Sequence, residues 1–316
     1  MRVLVTGARG YVGGRLVTHL AGIEGFAVQE LTRSPTGSSA APGATTILQG
    51  DLTRPETLRG HFELCDAVVH LAALNEIECA ERPRDALRVN VEGTLNLLEA
   101  LPPTLGHFIY MSTFHVYGAN GEGRVTEETQ IAPVHPYAVT HAMAELYVSM
   151  YARQRGFEAT ILRLSNAVGA PARPDIDRWS LVANDLCRQA ARNGRLVLRT
   201  HGQQQRDFIH IADVVAVVAA LLGDPGAAGG VHNLGSGRSR SILSIAGSVR
   251  SAYSEITGRT ISIDHPDPPV DLKVEDLEFV CDRIGAMGYG VSTSLEEGVR
   301  ETMTFCLEHF STRGAD

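Results

Sequence analysis

The sequence predicts an α/β protein built on a doubly wound parallel sheet, with a smaller, mixed substrate-binding region towards the C-terminus. Three observations support this prediction. Short apolar runs alternate with helical patterns from the first residues onward, glycines lie between the first strand and the first helix, and prolines divide the second half into shorter elements. Strand, helix, strand in this order implies parallel pairing through right-handed crossovers.

The predicted elements follow one another in the order expected of such a sheet. A helical pattern at Val12–Leu20 follows the first strand, another spans Asn90–Leu101, and a third begins at Pro136. The segment Ser34–Ala44 is rich in Ser, Gly, Pro and Ala and is predicted to be a surface loop. The predicted strands are Arg2–Thr6, Ala27–Leu31, Ala67–Leu71, Phe108–Ser112 and Ala159–Leu164.

The composition argues against several classes of protein. The 316 residues carry a formal net charge of −8, unlike a protein that holds nucleic acid through a broad basic surface. Five scattered cysteines without a CxxC pair indicate neither a disulfide framework nor a metal site. No apolar run approaches the ~18 residues that span a bilayer, and the first residues, MRVLVTGARG, lack the pattern of a signal peptide. We therefore expect a cytoplasmic protein that binds no nucleic acid, membrane or metal.

The stretch TGARGYVGGRL places Gly7, Gly10 and Gly13 between a strand and a helix. A tight turn and a close backbone approach leave no room for a Cβ, and the N-terminus of the following helix then faces the pyrophosphate of a dinucleotide. A simple tight turn does not account for all three glycines at this junction. The sequence therefore predicts a dinucleotide site here.

The end of the second strand discriminates between dinucleotide cofactors. A carboxylate there would bind the ribose hydroxyls of NAD, whereas Thr32 and Arg33 suit the additional 2′-phosphate of NADP. Glu30 lies two residues too early in this register. We favour NADP(H) and keep NAD(H) as possible, since Arg33 has the alternative interpretation of a solvated loop residue.

Two regions are expected along the chain. Residues 1–166 are predicted to form the dinucleotide-binding domain and to carry the catalytic residues, and residues 167–316 mostly a substrate-binding region. The alternation loosens beyond about residue 166, where prolines such as Pro171, Pro174 and Pro225 break the chain. A segment at about 205–235 is expected to return to the main sheet.

A series of motifs resembles the extended short-chain dehydrogenase/reductase family, which contains nucleotide-sugar epimerases, dehydratases and reductases. The resemblance covers nearly the whole chain and implies a Rossmann sheet. The motifs are TGARGYVG (6–13), GDL (50–52), HLAA (70–73), NVEGT (90–94), MSTFHVYG (111–118), PY (136–137), LRLSNAVGA (162–170), QRDFIHIADV (205–214), HNLGSG (232–237) and MGYGVSTSLEEGV (287–299).

The resemblance implies roles for the matching residues. Thr113 matches the family's catalytic Ser/Thr, which hydrogen-bonds the reacting oxygen, and Tyr137 matches the proton donor or acceptor. Asn166 and Arg206 match residues that contact a nucleotide diphosphate. Besides the three glycines, Thr32 and Arg33, the implied cofactor contacts are Tyr11, Val12, Asp51, Leu52, Leu71, Ala72, Ala73, Asn90, Tyr137 and His141.

Several of these residues also have a purely structural interpretation. Thr113 can simply end a strand, and Asp51 can cap a helix that begins at DLTRPETL. Asn166 and Arg206 can be hydrogen-bond anchors. His70, on an apolar strand, is interpreted as a core histidine with satisfied hydrogen bonds.

Three departures from the family pattern bear on the chemistry. His141 stands four residues after Tyr137, on the same helical face, where the family has lysine. Phe114 and His115 replace the Asp-Glu pair of the sugar 4,6-dehydratases, so dehydration is not expected. His115 either donates a proton near the sugar substrate or packs under the loop. The C-terminal stretch HPDPPVD lacks an arginine that often binds the substrate diphosphate in this family.

The histidine favours one direction of reaction. A free tyrosine has a pKa of ~10 and a free histidine of ~6.5, so an unperturbed His141 is mostly neutral at pH 7 and stabilises tyrosinate less than an ammonium group does. Alcohol oxidation needs tyrosinate as a base, whereas ketone reduction needs the neutral phenol as an acid. The leading hypothesis is therefore an NADP(H)-dependent 4-keto-sugar reductase that acts on a nucleotide-linked sugar.

Two alternatives stay open. One is an NAD(P)-dependent nucleotide-sugar epimerase, similar to UDP-galactose 4-epimerase, that works through a transient keto intermediate. The other is a non-catalytic member of the family that binds a dinucleotide. The resemblance also implies a homodimer, formed through the helix that carries the tyrosine.

Overall fold

A seven-stranded parallel sheet forms the centre of the protein. The computed structural model describes residues 1–34, 39–224, 229–274 and 276–311. The strands in chain order are β1 (Arg2–Thr6), β2 (Ala27–Thr32), β3 (Thr45–Gln49), β4 (Ala67–His70), β5 (His107–Thr113), β6 (Gly123–Val125), β7 (Glu158–Leu164), β8 (Asn166–Val168), β9 (Leu196–Val197), β10 (Gln205–His210), β11 (Gly230–Leu234), β12 (Ser239–Ser241), β13 (Ile263–Asp264) and β14 (Leu277–Phe279).

Helices cover both faces of the sheet. Along β1, Val3 and Val5 pack in one apolar core and Leu4 in another, because successive side chains of a strand point to opposite faces. No helix in the described ranges is long and apolar enough to cross a membrane. The helices are α1 (Tyr11–Ala21), α2 (Glu76–Glu81), α3 (Pro83–Ala86), α4 (Gly93–Ala100, after a π-helical turn at Leu87–Glu92), α5 (Pro136–Arg155), α6 (Val182–Asn193), α7 (Ile211–Gly223), α8 (Ile242–Thr257), α9 (Asp282–Ala286) and α10 (Leu295–Phe310).

The order of the strands creates a crevice at one edge of the sheet. The order is β11-β7-β5-β4-β1-β2-β3, so the chain winds outward from β1 in one direction and from β4 in the other. All six pairings are parallel, with Thr6 of β1 beside both Leu31 of β2 and His70 of β4. Ligands of doubly wound sheets bind where the order reverses, at the carboxyl ends of the strands. That point lies between β1 and β4.

The five predicted strands and the doubly wound sheet are confirmed, and each strand boundary moves by at most one residue. Thr45–Gln49 was not predicted as a strand. This segment forms the edge strand β3, and its partly exposed side chains leave no apolar run to find in the sequence. Of the predicted loop Ser34–Ala44, residues 35–38 lie outside the described residues, and the described remainder contains no helix or strand.

The second half of the chain builds a separate core and two small sheets, and its strand β14 forms a third with β6 of the first half. Helices α6, α8 and α10 meet around Leu186, Val249 and Met303, beside the three-stranded sheet β12-β10-β8. Of the segment at about 205–235, β10 lies in this small sheet, whereas β11 joins the main sheet beside β7. Helix α7 packs in the same core as α1, and residues 225–228 lie outside the described residues.

The turn between β1 and α1 has no space for side chains. Gly7 has a φ of +66°, and a Cβ on it would stand 2.8 Å from the backbone nitrogen of Ala72. A Cβ on Gly13 would stand 2.1 Å from the carbonyl oxygen of Gly7. The same carbonyl accepts a hydrogen bond from the amide of Gly10 at 2.9 Å. The start of α1 is therefore packed directly against its own turn and the end of β4.

We predict that Gly13→Ala destabilises the protein by ~1–3 kcal/mol, because the added methyl group overfills a backbone contact. Gly247→Ala is the matched control. Gly247 lies within α8 with no heavy atom near its Cβ position, so alanine there is expected to stabilise the helix by up to ~1 kcal/mol. Urea unfolding of both variants measures the difference, and equal midpoints would contradict the prediction.

Candidate active site

A cavity of about 370 Å³ lies at the carboxyl ends of the central strands. The turn after β1, the ends of β4 and β5, the first turn of α5 and the segment after β7 all contribute to its wall. The residues predicted from the sequence that line it are Gly7, Gly10, Tyr11, Val12, Gly13, Leu71, Ala73, Thr113, His115, Tyr137, His141 and Asn166. The predicted contacts that do not line it are Thr32, Arg33, Asp51, Leu52, Ala72, Asn90 and Arg206.

Tyr137 and Thr113 meet inside this cavity. Thr113 is the last residue of β5, and Tyr137 lies in the first turn of α5, after Pro136. Both line the cavity wall, and the Thr113 side chain lies near enough to the phenol to oppose the rise in the pKa of Tyr137. Burial, and secondarily the negative charge of Glu76, raises the pKa of Tyr137 well above its usual value, so the phenol is protonated at neutral pH.

The side chain of His141 turns back onto its own helix. Its Nδ1 lies 2.9 Å from the carbonyl oxygen of Tyr137. A carbonyl only accepts, so Nδ1 carries the proton, and in the neutral ring Nε2 is the nitrogen that can accept a hydrogen bond from a ligand. Burial lowers the pKa of His141 to about 4, although the bond to Tyr137 opposes that change. A neutral ring therefore occupies the position where the family has a cation.

His115 is the second histidine of the cavity wall. Its ring centroid lies 6.1 Å from that of Tyr137 and 5.1 Å from that of His135, the N-cap of α5. Burial lowers the pKa of His115, and nearby charges modify the shift. The ring is therefore a neutral neighbour of the tyrosine, which fits packing in the cavity wall and leaves its role in proton transfer a prediction.

Two charged residues of this cavity, Glu76 and Arg178, were not predicted from the sequence. Glu76 begins α2, which Asn75 and Glu78 start with a reciprocal capping box. Arg178 lies 102 positions further along the chain, in the segment before α6, and forms two bonds with the Glu76 carboxylate at 2.8 Å and 3.0 Å. No motif spacing connects residues so far apart, so only the fold reveals this pair.

The loop after β2 gathers polar groups next to the glycine turn. The hydroxyl of Thr32 donates to the Ser34 carbonyl at 3.1 Å, and Nη1 of Arg9 donates to the same oxygen at 2.9 Å. Arg33 is exposed, and its positive charge helps to lower the pKa of Asp51. Two guanidinium groups thus lie near the end of the second strand, where the sequence predicts the adenosine ribose.

Asp51 closes a turn and does not cap a helix. Its carboxylate accepts from the Thr53 amide at 2.9 Å and the Thr53 hydroxyl at 2.8 Å. Burial opposes ionisation, but these hydrogen bonds prevail and lower the pKa of Asp51. Leu52 is buried in the core, and Glu30 is buried with its carboxylate held by the hydroxyls of Ser39 and Thr45. Glu30 therefore does not face a ribose.

Asn90 lies behind the cavity wall. Its side-chain oxygen accepts from the Leu74 amide at 2.8 Å, and its nitrogen donates to the Thr140 hydroxyl at 3.0 Å. Thr140 in turn donates to the carbonyl of Tyr137. These contacts give Asn90 a supporting role between the end of β4 and helix α5, and a direct contact with the cofactor stays a prediction.

The structure confirms that His70 is a core histidine. The ring is fully buried, with Nδ1 2.6 Å from the hydroxyl of Thr6 and Nε2 2.9 Å from that of Thr94. Burial lowers its pKa to about 3. The ring connects β1, β4 and α4, and it does not line the cavity.

A second, larger cavity of about 1070 Å³ lies against the first. It is bordered by the start of α2 and by elements of the second half, including α6 and β10. Asn166 borders both cavities and donates to the Asp207 carbonyl at 2.9 Å, while Arg206 is exposed and borders the larger one. Three arginines, Arg188, Arg199 and Arg206, line this space.

Comparison with known proteins agrees with this geometry. Residues 3–235 match the model of the NAD dependent epimerase/dehydratase family. The chain belongs to this family. It is therefore an enzyme of the extended short-chain dehydrogenase/reductase superfamily, as the motifs predicted.

Individual relatives resemble the chain over most of its length. The dTDP-glucose 4,6-dehydratase of Mycolicibacterium smegmatis is 31% identical, over 90% of this chain and 82% of its own. The UDP-glucose 4-epimerase of Thermus thermophilus, solved in complex with NAD, is 27% identical with a TM-score of 0.79 over the whole of both chains. RMD from Pseudomonas aeruginosa, solved with NADPH, is 26% identical with a TM-score of 0.77, over 97% of this chain and 99% of its own.

We predict that the free energy of unfolding falls as the pH drops from about 6.5 to about 4. Folded His141 has a pKa of about 4, whereas the same imidazole in the unfolded chain titrates near ~6.5, so acid favours the unfolded state by roughly 1 kcal/mol per pH unit. His70 and His107, whose pKa values burial also lowers, act in the same direction.

Urea unfolding between pH 4 and pH 7 measures this slope, and His141→Gln should reduce it. His61→Gln, at a half-buried site outside the cavity, is the control for the loss of an imidazole. An unchanged slope in the His141→Gln protein would mean that His141 is not held neutral by the fold.

Proposed function

We propose that the enzyme reduces a keto group on a nucleotide-linked sugar, with NADP(H) as the cofactor and Tyr137 as the proton donor. The observation that carries the proposal is the protonated phenol of Tyr137 next to a neutral His141. A ketone that accepts a hydride also needs a proton on its oxygen, and a protonated phenol is already the species that supplies it.

The residues present fit a dinucleotide. A Cβ on Gly7 or Gly13 would collide with the backbone that forms the cradle at the N-terminus of α1, where backbone amides point towards a bound pyrophosphate. When bound there, the nicotinamide dinucleotide supplies the hydride. Tyr11 closes the other side of the cradle, since its hydroxyl donates to the carbonyl of Gly169 at 2.7 Å and joins the two halves of the chain.

The catalytic residues have distinct tasks in this reaction. Thr113 donates a hydrogen bond that polarises the substrate oxygen and orients it towards Tyr137, which releases its proton to that oxygen. His141 accepts a hydrogen bond from a ribose hydroxyl through Nε2, which reverses the polarity of the bond that a lysine would make.

The preference for NADP(H) rests on charge at the adenosine end. Thr32 is neutral where NAD-binding proteins have a carboxylate, and the Arg9 and Arg33 guanidiniums lie near the same loop. A guanidinium carries a positive charge and presents hydrogen-bond donors that match the geometry of a phosphate, so it would attract the 2′-phosphate of NADP(H). The solved complex of the relative RMD with NADPH is consistent with this preference.

The larger cavity suits the nucleotide portion of the substrate. Arg199 and Arg206 provide positive charge for a diphosphate, whereas Arg188 is paired with Asp185 at 3.2 Å. Asn166 borders both this space and the cavity of Tyr137. The stretch HPDPPVD contains no arginine that could bind the diphosphate. Arg206 is therefore the main candidate for a diphosphate contact on the far side of the cavity.

A nucleotide-sugar 4-epimerase is the second candidate function. The observation that favours it is the likeness of the whole chain to the Thermus thermophilus UDP-glucose 4-epimerase. An epimerase starts by oxidising an alcohol, which requires Tyr137 as tyrosinate. The raised pKa of Tyr137 opposes that step, and for this reason we rank reduction first.

We also propose that the enzyme is a homodimer. Val139, Met143 and Leu146 repeat at helical spacing along α5 and leave an apolar stripe in solvent, with Leu146 66% exposed. Leu87 is also exposed, on the π-helical turn that contacts α5. A second copy of the chain, packed against α5, would cover this stripe.

We predict that the purified enzyme consumes NADPH with nucleotide-linked 4-keto sugars and that Tyr137→Phe lowers kcat by at least about 100-fold, because the proton donor is lost. The Kd for NADPH should change little. Tyr151→Phe, on the same helix with its hydroxyl on Glu99, is the control and should keep wild-type activity. Full activity of the Tyr137→Phe enzyme would refute the proposed mechanism.

We predict that the enzyme binds NADPH more tightly than NADH and that Arg33→Ala weakens NADPH binding about tenfold, as expected for the loss of one charged hydrogen bond. NADH binding should be unaffected. Arg250→Ala, on the exposed face of α8, serves as the control. Fluorescence titration of cofactor-free protein measures these constants, and tighter binding of NADH by the wild-type enzyme would exclude the NADP(H) assignment.

A further inference from the structure

The Glu76–Arg178 ion pair joins the two halves of the chain at the catalytic residues. Both oxygens of the Glu76 carboxylate accept from Arg178, at 2.8 Å from Nη1 and 3.0 Å from Nη2. This two-point contact fixes the guanidinium in one orientation. Nη1 also lies 3.3 Å from the hydroxyl of Ser180. The Glu76 side chain is 32% exposed and the Arg178 side chain 19%, so the pair is largely shielded from solvent.

Both members of the pair line the cavity that contains Tyr137, and Glu76 also borders the larger cavity. Groups from five parts of the fold face the phenol. These groups are Glu76 and Cys79 of α2, Tyr110 and Thr113 of β5, His115 after β5, His135 and His141 at the start of α5, and Arg178 before α6.

The charges of these groups differ. Burial opposes the charge of Glu76, but its hydrogen bonds from Arg178 prevail and lower its pKa. Burial likewise opposes the charge of Arg178, but hydrogen bonds to Glu76 raise its pKa. Both members are thus fully charged at neutral pH, while burial lowers the pKa of His115 and His141. The charge that a lysine would place next to the tyrosine is replaced by a nearby pair of opposite charges.

We propose that Glu76 and Arg178 are positioning residues that set the protonation state of Tyr137: the carboxylate holds the proton on the phenol, and the guanidinium opposes it. This inference rests on the proposed function, in which Tyr137 transfers a proton. It differs from a clamp that merely ties the two halves together, because the two charges act on Tyr137 in opposite directions. If the pair were only a clamp, the loss of Glu76 and the loss of Arg178 would change the titration of Tyr137 in the same direction.

The test observes the ionisation of residue 137 directly. Tyr137 is replaced by a difluorinated tyrosine, whose phenol is more acidic than that of tyrosine, and its ¹⁹F signal is followed against pH in cofactor-free protein. In this background we expect Glu76→Gln to lower the titration midpoint by about one pH unit and Arg178→Gln to raise it by about as much, since a nearby charge shifts a pKa by ~1–3 units. The double variant should titrate between the two single variants.

Glu255→Gln is the control, because it removes an exposed carboxylate that pairs with Arg300 at 2.9 Å and borders neither cavity. Its midpoint should equal that of the parent protein. Shifts of the same sign in both single variants, or a Glu76→Gln shift no larger than that of the control, would overturn the proposal. If Arg178→Gln fails to fold, the sign of the Glu76→Gln shift decides alone.

The outcome is independent of the reaction itself, since the titration uses neither substrate nor cofactor. If the two single variants do not shift the midpoint in opposite directions while the Tyr137→Phe enzyme is inactive, the role of the ion pair is rejected and the proposed reaction stands. Opposite shifts together with a fully active Tyr137→Phe enzyme would confirm the electrostatic coupling and reject the proposed use of Tyr137.

Discussion

The contact between the Gly7 carbonyl and Gly13 is the constraint on which the rest of the site depends. It brings the N-terminus of α1 against the ends of β1 and β4, so backbone amides face a single point at the centre of the sheet. A Cβ on either glycine would separate these elements. The dinucleotide site is thus a consequence of backbone packing, and it needs no side chain of its own to hold its shape.

A buried ion pair fixes helix α5 relative to the main sheet. Arg163 of β7 donates to Glu145 of α5 through Nε at 3.1 Å and through Nη2 at 2.7 Å, and both side chains are nearly inaccessible to solvent. Ser112, next to Thr113, donates to the same carboxylate. The bond network therefore connects the strand that ends in Thr113 with the helix that begins near Tyr137. Removal of one partner would leave a buried charge without compensation.

Local patterns predicted much of the fold and part of the site. Apolar runs and glycine spacing depend on neighbouring residues, so the strands and the dinucleotide turn were found from the sequence. Asn90 shows what a motif match does not predict. The residue fits the family pattern for a cofactor contact, but its side-chain amide forms hydrogen bonds with Leu74 and Thr140. Glu76 and Arg178 carry no local signal, because their meeting depends on how the second half of the chain packs onto the first.

The lack of a cation at position 141, beside Tyr137, goes with a wider feature of the sequence. Lys273 is its single lysine, so almost every cation is a guanidinium, which does not lose its proton near neutral pH. At position 141 the chain has neither cation. A neutral imidazole and a protonated phenol together favour proton donation over proton abstraction, which is the chemical basis for ranking reduction above epimerisation.

Isotope transfer separates these two reactions most directly. The enzyme is incubated with a nucleotide-linked 4-keto sugar and NADPH that carries deuterium at the transferable position of the nicotinamide, and the sugar product is analysed by mass spectrometry and NMR. Our account predicts one deuterium in the product, bonded to the carbon of the former carbonyl, and one NADP⁺ formed for each sugar reduced. A product without deuterium and no consumption of NADPH would contradict it. In a parallel incubation with the sugar alcohol, conversion to its C4 epimer with retention of its own hydrogen would contradict it as well.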